Sequence, residues 1–289
     1  MLQLRPCTPG FVAEASGVDL RGAQPLSVVE AIERGLDKFG VLVFRDQPLT
    51  QGEQMGMTSS FGPLDLGLKK VKKSVDRLEF AELADISNVG ADGKPVDRED
   101  RKIVSNIANQ LWHSDSSFQR PAGRYSMLAA AVVPSWGGAT EFADMRAAYD
   151  ALPAREKAEA EGLDAEHYAL HSRFMLGDDA YTEEQRAAIA PGVWPVVRTH
   201  PSGRRHLFIG VHARRVVGMT VAEGRMLLSD LQEHAVQRRF VFSHEWRVGD
   251  LLMWDNRTTL HRGRRYDLSE PRELRRSTTE DTDRAAIAA

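Results

Sequence analysis

Leu111-Trp112-His113-Ser114-Asp115-Ser116-Ser117-Phe118 sets a histidine and an aspartate one residue apart. In an extended segment alternate side chains leave the same face, so His113 and Asp115 can converge on one small ion. A matching third ligand stands far downstream, where the apolar run Leu251-Leu252-Met253-Trp254 enters the turn Asp255-Asn256-Arg257-Thr258 and ends on Thr259-Leu260-His261. Two imidazoles and one carboxylate form the facial set that holds a non-haem Fe(II) ion and leaves three positions open. An isolated His-x-Asp pair is weak evidence, because such pairs also arise in ordinary packing.

The residues beyond His261 strengthen the case for a metal site. Eleven positions on, past Gly263, Ser269 and Pro271, stands Arg272, with Arg275 and Arg276 close behind. Along one straight strand an odd offset would point Arg272 away from His261, but the intervening turn residues can reset the direction. A guanidinium fork is suited to holding a carboxylate by paired hydrogen bonds. Arg275 and Arg262 read as solvated.

His113-x-Asp115, the distal His261, Thr140 after Gly137-Gly138, and Arg272 together resemble the Fe(II)- and 2-oxoglutarate-dependent dioxygenases of the taurine dioxygenase family. Within it, segments 81–89, 108–119 and 144–153 are similar to the branch acting on aryloxy carboxylates such as 2,4-dichlorophenoxyacetate, and the likeness runs from about residue 18 to 279. The resemblance implies a mainly β fold with flanking helices, a double-stranded β-helix (jelly-roll) with a helical insertion at about 144–192, in one domain over 1–289. It implies Fe(II) on His113, Asp115 and His261, with 2-oxoglutarate as co-substrate and O2 as oxidant. Thr140 and Arg272 would hold the far carboxylate of 2-oxoglutarate, and Arg276 would meet its other carboxylate or the substrate's anion. Lys70, Lys94, Ser117, Phe118, His200, His212 and Arg276 are the candidates for the substrate. The activity implied is hydroxylation of the side-chain methylene of a phenoxyacetate, giving a phenol and glyoxylate with succinate and CO2. A sulfonate dioxygenase, a zinc hydrolase on the same three ligands, and an idle jelly-roll binding protein stay open as rivals.

Composition sets limits on the rest. A chain of 289 residues with 42% hydrophobic and 27% charged residues can bury a large core without staples. Its formal charge of −3 calls for neither nucleic acid nor an anionic membrane as partner. The partners expected are a small-molecule aryloxy carboxylate and, as an open alternative, further copies of the chain in a homo-oligomer. One cysteine, Cys7, excludes an internal disulfide and any site built from several thiolates, as expected of a cytoplasmic protein. Arg5 and Pro6 break the N-terminus before a signal-peptide core can form.

Local patterns place the elements. Ser27 with Glu30, Thr50 with Glu53 and Thr220 with Glu223 predict capped helix starts, and Gly40 predicts the end of the first helix. Four lysines at 69, 70, 72 and 73 read either as a solvated basic surface or as a lid carrying Lys70 toward an anion. His167 and His171, four apart, could share a helix face, although no further ligand pattern supports a second metal site, so they read as surface or supporting residues. Segments 194–200 and 207–212 flank Pro201-Ser202-Gly203 as a β-hairpin.

Overall fold

The runs Val41-Leu42-Val43-Phe44 and Leu251-Leu252-Met253-Trp254 have no polar alternate, as strands covered on both faces require. In the computed structural model, which describes residues 1–67, 77–179 and 181–282, both lie in a seven-stranded sheet. Its strands are β1 (Gln3–Thr8), β2 (Val12–Ser16), β3 (Val41–Phe44), β4 (Ala84–Ser87), β5 (Gly123–Val132), β13 (Leu251–Asp255) and β15 (Glu273–Glu280), in spatial order β1-β2-β3-β13-β5-β15-β4. A smaller sheet contains β6 (Thr140–Asp144), β12 (Val241–His244) and β14 (Thr259–Gly263), with β6 in the middle. Strand alternation separates the core into layers. Val41, Val43, Leu252 and Trp254 meet Leu274 and, from the smaller sheet, Phe142. Their neighbours Leu42, Phe44, Leu251 and Met253 turn outward onto a helix. This pair of facing sheets is the expected jelly-roll.

The helices are α1 (Leu26–Phe39), α2 (Gln51–Ser59), α3 (Arg101–Ile107), α4 (Met145–Asp150), α5 (Ala154–Ala160), α6 (His171–Phe174), α7 (Glu183–Ala187) and α8 (Val221–Ala235). Helix α1 covers the large sheet with Val29, Ile32, Leu36 and Phe39. Met145 of α4 with Leu228 and Leu231 of α8 joins Ala143 and Leu260 of the smaller sheet in a second core. Reciprocal capping boxes close α2 at Thr50, α7 at Thr182 and α8 at Thr220. The expectation for Ser27 fails: the N-cap position of α1 is Pro25, two residues earlier, and no side chain caps it. The fixed φ of proline already presets the entry, so Ser27 becomes an interior residue of the first turn.

The insertion differs from the sequence reading, because it contains strands as well as helices. Strand β7 (Asp164–His167) lies between β8 (Gly192–Pro195) and β11 (Ala213–Val216), and β9 (Val197–Thr199) pairs with β10 (Arg205–Leu207) as the expected hairpin. His167 therefore ends a strand while His171 opens α6, and the two share no helix face. His167 is fully buried rather than on the surface.

Candidate active site

The ligand pair does not sit on a continuous strand as expected. His113 makes one antiparallel bridge with His261, each backbone N–H donating to the other's carbonyl at 3.0 and 2.8 Å, and the chain then turns through Ser116 at φ 52°. The convergence survives, because the bridge fixes the two imidazoles side by side with ring centroids 4.1 Å apart. Asp115 reaches them from the turn. Its two oxygens lie 3.7 Å from Nε2 of His113 and 3.6 Å from Nε2 of His261. Phe142 and Trp254 hold the His261 ring from behind, at centroid distances of 6.0 and 4.7 Å.

The donor set fits a divalent metal. Nδ1 of His113 lies 2.8 Å from the carbonyl of Leu111. A proton held there leaves the Nε2 lone pair free for a ligand. That Nε2 is buried and has no hydrogen-bond partner, the condition expected of an atom that binds an ion. Burial lowers the pKa of both imidazoles and keeps them neutral, as coordination requires. For Asp115 burial acts the other way, but the Arg276 guanidinium and the two imidazoles outweigh it and hold the carboxyl at about 2. Ser126 donates to its Oδ2 at 2.7 Å, and Asn256 accepts from its N–H at 3.1 Å. Asp65 accepts from Ser116 and, at 2.8 Å, from Gln119, which fastens the turn. Ser126, Asn256 and Asp65 were missed in the sequence. Asn256 alone carries a signal, its place in the turn that leads to His261, whereas Ser126 and Asp65 lie outside both ligand-bearing turns.

A cleft opens from the two histidines. Its walls include Thr140, Tyr266, Arg272 and Arg276. Arg272 is 6% exposed, and Nη2 donates to the Gly138 carbonyl at 3.1 Å. Tyr266 lies beneath the guanidinium at 5.1 Å. No described carboxylate is ion-paired with Arg272, and burial pulls its pKa down to about 10. A buried guanidinium without an acid is costly unless an anion joins it. Thr140 accepts from the Trp246 indole at 3.0 Å, leaving its own hydroxyl proton for another acceptor. Gly138, at φ 74°, permits the approach: a Cβ there would lie 3.0 Å from Nε of Arg272.

The remaining candidates separate clearly. His212 is half-buried, edge-on to His113 at 6.1 Å and to Phe118 at 5.1 Å, so it stands beside one of the candidate ligands. Ser117 turns its hydroxyl to Nδ1 of His167 at 3.1 Å. Arg276 lines the cleft and is ion-paired to Asp115. Two expectations need correction. His200 does not face a ligand: Nδ1 is 2.7 Å from Ser202 and Nε2 is 3.1 Å from Asp255, so both ring nitrogens are spent on structure. Lys94 is exposed on a turn outside the cleft, because its backbone closes that turn onto Gly90 and Asp92. Lys70 lies outside the described residues. Arg275 and Arg262 are not merely solvated either: they bind the Leu49 carbonyl at 2.6 Å and Glu141 at 2.7 Å.

The chain is similar to known proteins along nearly its whole length. The chain is 61% identical over 277 residues to the alpha-ketoglutarate-dependent 2,4-dichlorophenoxyacetate dioxygenase of Cupriavidus pinatubonensis, covering 96% of each chain. It is 57% identical to the protein of the same description from Burkholderia sp. (strain RASC), covering 94% of this chain and 92% of the other. A crystal structure of AAD-2 in complex with Mn(II) and N-oxalylglycine superposes with a TM-score of 0.90 at 44% identity, covering 98% of each chain. The description of the Taurine catabolism dioxygenase TauD, TfdA family fits residues 3–278, and the chain belongs to that family.

Proposed function

We propose that the chain is an Fe(II)- and 2-oxoglutarate-dependent dioxygenase that hydroxylates the side-chain methylene of a phenoxyacetate such as 2,4-dichlorophenoxyacetate. The observation that carries the reading is a set of two neutral imidazoles and an ionised carboxylate beside one cleft, whose wall also holds a buried arginine with no ion-paired acid among the described residues. The identity of 61% to a 2,4-dichlorophenoxyacetate dioxygenase over nearly the whole chain supports the substrate class. We read the chain as one catalytic domain, since the cleft draws walls from residue 86 to residue 276.

Iron bound by His113, Asp115 and His261 supplies, with 2-oxoglutarate and O2, the oxidising chemistry. The protein's share is placement. Arg272 and the Thr140 hydroxyl receive the far carboxylate of 2-oxoglutarate and so direct its other end toward the histidines. Arg276 balances the charge of Asp115, and Phe118 and His212 border the space left for an aromatic ring. Trp254, Phe142 and Leu128 exclude water behind the ligands. The hydroxylated carbon is a hemiacetal, so its ether bond breaks to release a phenol and glyoxylate, while 2-oxoglutarate becomes succinate and CO2.

The test feeds the Fe(II)-loaded protein 2,4-dichlorophenoxyacetate or taurine in parallel, each with 2-oxoglutarate and O2. The expected result is one phenol per succinate from the first and no sulfite from the second. Sulfite without phenol would move the substrate class to sulfonates, and neither product with either substrate would remove the reading.

A further inference from the structure

Arg272 is held at its tip and at its base by different parts of the fold. At the tip, Nη2 donates to the Gly138 carbonyl at 3.1 Å and Nη1 reaches the Ile86 carbonyl at 3.4 Å. At the base, Pro271 is exposed and offers no N–H, and the register of β4 with β15 ends on Ser87 and Glu273. Beyond that last pair the anchor is Asn88. It is completely buried, and its backbone N–H donates to the Arg272 carbonyl at 3.2 Å. Its Oδ1 accepts from the Arg272 N–H at 2.8 Å, while Nδ2 donates to the carbonyls of Leu268 at 3.1 Å and Glu270 at 2.8 Å.

The Asn88 amide thus spends both donors and its acceptor on residues 268–272. Only one orientation satisfies them: turned over, the amide would set its oxygen against two carbonyls and its NH2 group against an N–H. Asn88 is fixed from behind as well, since its own carbonyl accepts from the Val96 N–H at 2.8 Å. Ile86 and Ser87, just before it, line the cleft, and Asn88 is not among the lining residues. The tie from Ser135 to the Glu270 carboxylate holds the same stretch but is exposed to solvent, where a hydrogen bond is weaker than in the interior.

We propose that Asn88 is a positioning residue for the co-substrate: through the Arg272 backbone it sets where the guanidinium stands, and so the affinity for 2-oxoglutarate, without touching it. This rests on the reading above in which Arg272 receives the far carboxylate. A bidentate contact depends on the placement of both donors, so a small displacement of the Arg272 backbone loosens it. The side-chain partners of Asn88 include none of the three metal ligands, and the effect should spare the metal.

Asn88→Ala, Asn88→Asp, Arg272→Leu and the unaltered protein are each titrated with Mn(II), and the Mn(II)-loaded forms are then titrated with 2-oxoglutarate by calorimetry. KM and kcat are taken from succinate formation by the Fe(II)-loaded forms. Asn88→Ala should weaken 2-oxoglutarate roughly ten- to hundredfold in both Kd and KM, with Mn(II) affinity and kcat at saturating 2-oxoglutarate unaltered. Asn88→Asp has the same shape and keeps the acceptor for the Arg272 N–H, but it cannot donate to both Leu268 and Glu270, so its 2-oxoglutarate affinity should fall as well. An unaltered 2-oxoglutarate affinity in a folded Asn88→Ala overturns the inference and leaves the reading intact if Arg272→Leu lowers that affinity. No loss in Arg272→Leu overturns both. Equal losses of Mn(II) and 2-oxoglutarate affinity would make Asn88 a residue of the fold alone and overturn the inference. If thermal melting shows Asn88→Ala unfolded, Asn88→Asp decides by the same measurements, and unfolding of both overturns it too.

Discussion

Arg272 carries a charge into an interior that offers it carbonyls and one aromatic ring but, among the described residues, no ion-paired acid. Replacing it with Leu removes the group that would hold the far carboxylate of 2-oxoglutarate and leaves the three metal ligands in place. A contact of this kind contributes about 1.5–3 kcal/mol, so KM for 2-oxoglutarate should rise roughly tenfold to more than a hundredfold. Titration of Mn(II) into the variant should give an unaltered affinity. An unchanged KM for 2-oxoglutarate would separate Arg272 from the co-substrate. At this scale the sequence was legible wherever residue type and chemistry coincide. Two histidines and an aspartate could be read as a ligand set, and the structure brings them within 4.8 Å of one another. It was illegible where type is ambiguous. His200 and His212 looked alike on the two arms of a hairpin, yet one ring is consumed by Asp255 and the other faces His113. Nothing in local sequence records which nitrogen already has a partner.

The turn before β6 shows how a short element controls the cleft. Gly137 and Gly138 both adopt left-handed backbone, and Gly137 bridges to Tyr266, the residue under Arg272. A Cβ on Gly137 would come within 2.3 Å of the Arg265 carbonyl oxygen, a backbone atom that cannot swing aside. Gly137→Ala should therefore push segment 265–266 away from the turn. The left-handed strain alone costs of order 1–3 kcal/mol. We expect a lower melting temperature and a raised KM for 2-oxoglutarate, measured on the same preparation; a variant altered in neither would show that the turn has room. Elements with paired local signals were read correctly, as Thr50 and Thr220 with their N3 glutamates demonstrate. Ser27 has the same signature and no cap, because Pro25 sets the start of α1 first. The insertion was misread for a related reason. Residues four apart fit one helix face, but β8 and β11 on either side draw residues 164–167 into a sheet, and that competition is tertiary.

The whole molecule stores neutral histidines. Burial depresses His167 and His206 to about 3 against an unfolded value near 6.5. Above that unfolded value neither state binds the proton and pH has no effect through these groups. As pH falls below it the unfolded chain takes up protons that the folded chain refuses, so stability declines, and continues to decline until the folded value is reached. Each group contributes a slope of roughly 1.4 kcal/mol per pH unit at most. Urea unfolding between pH 6.5 and 5 should show this loss before most carboxylates titrate, and His206→Phe should remove one such increment from the slope. A slope unaltered by that substitution would mean that His206 is not held neutral. No helix among the described residues is long and apolar enough to cross a membrane. The bridge between His113 and His261 has one further consequence. It joins segments that lie far apart in the chain, and β5, β6 and β13, which position them, form between those segments. Contacts of such long sequence separation close late in folding. Metal affinity is thus a property of completed topology: a chain caught partway has the ligands but no site, and iron, by binding only the finished form, draws the folding equilibrium toward it.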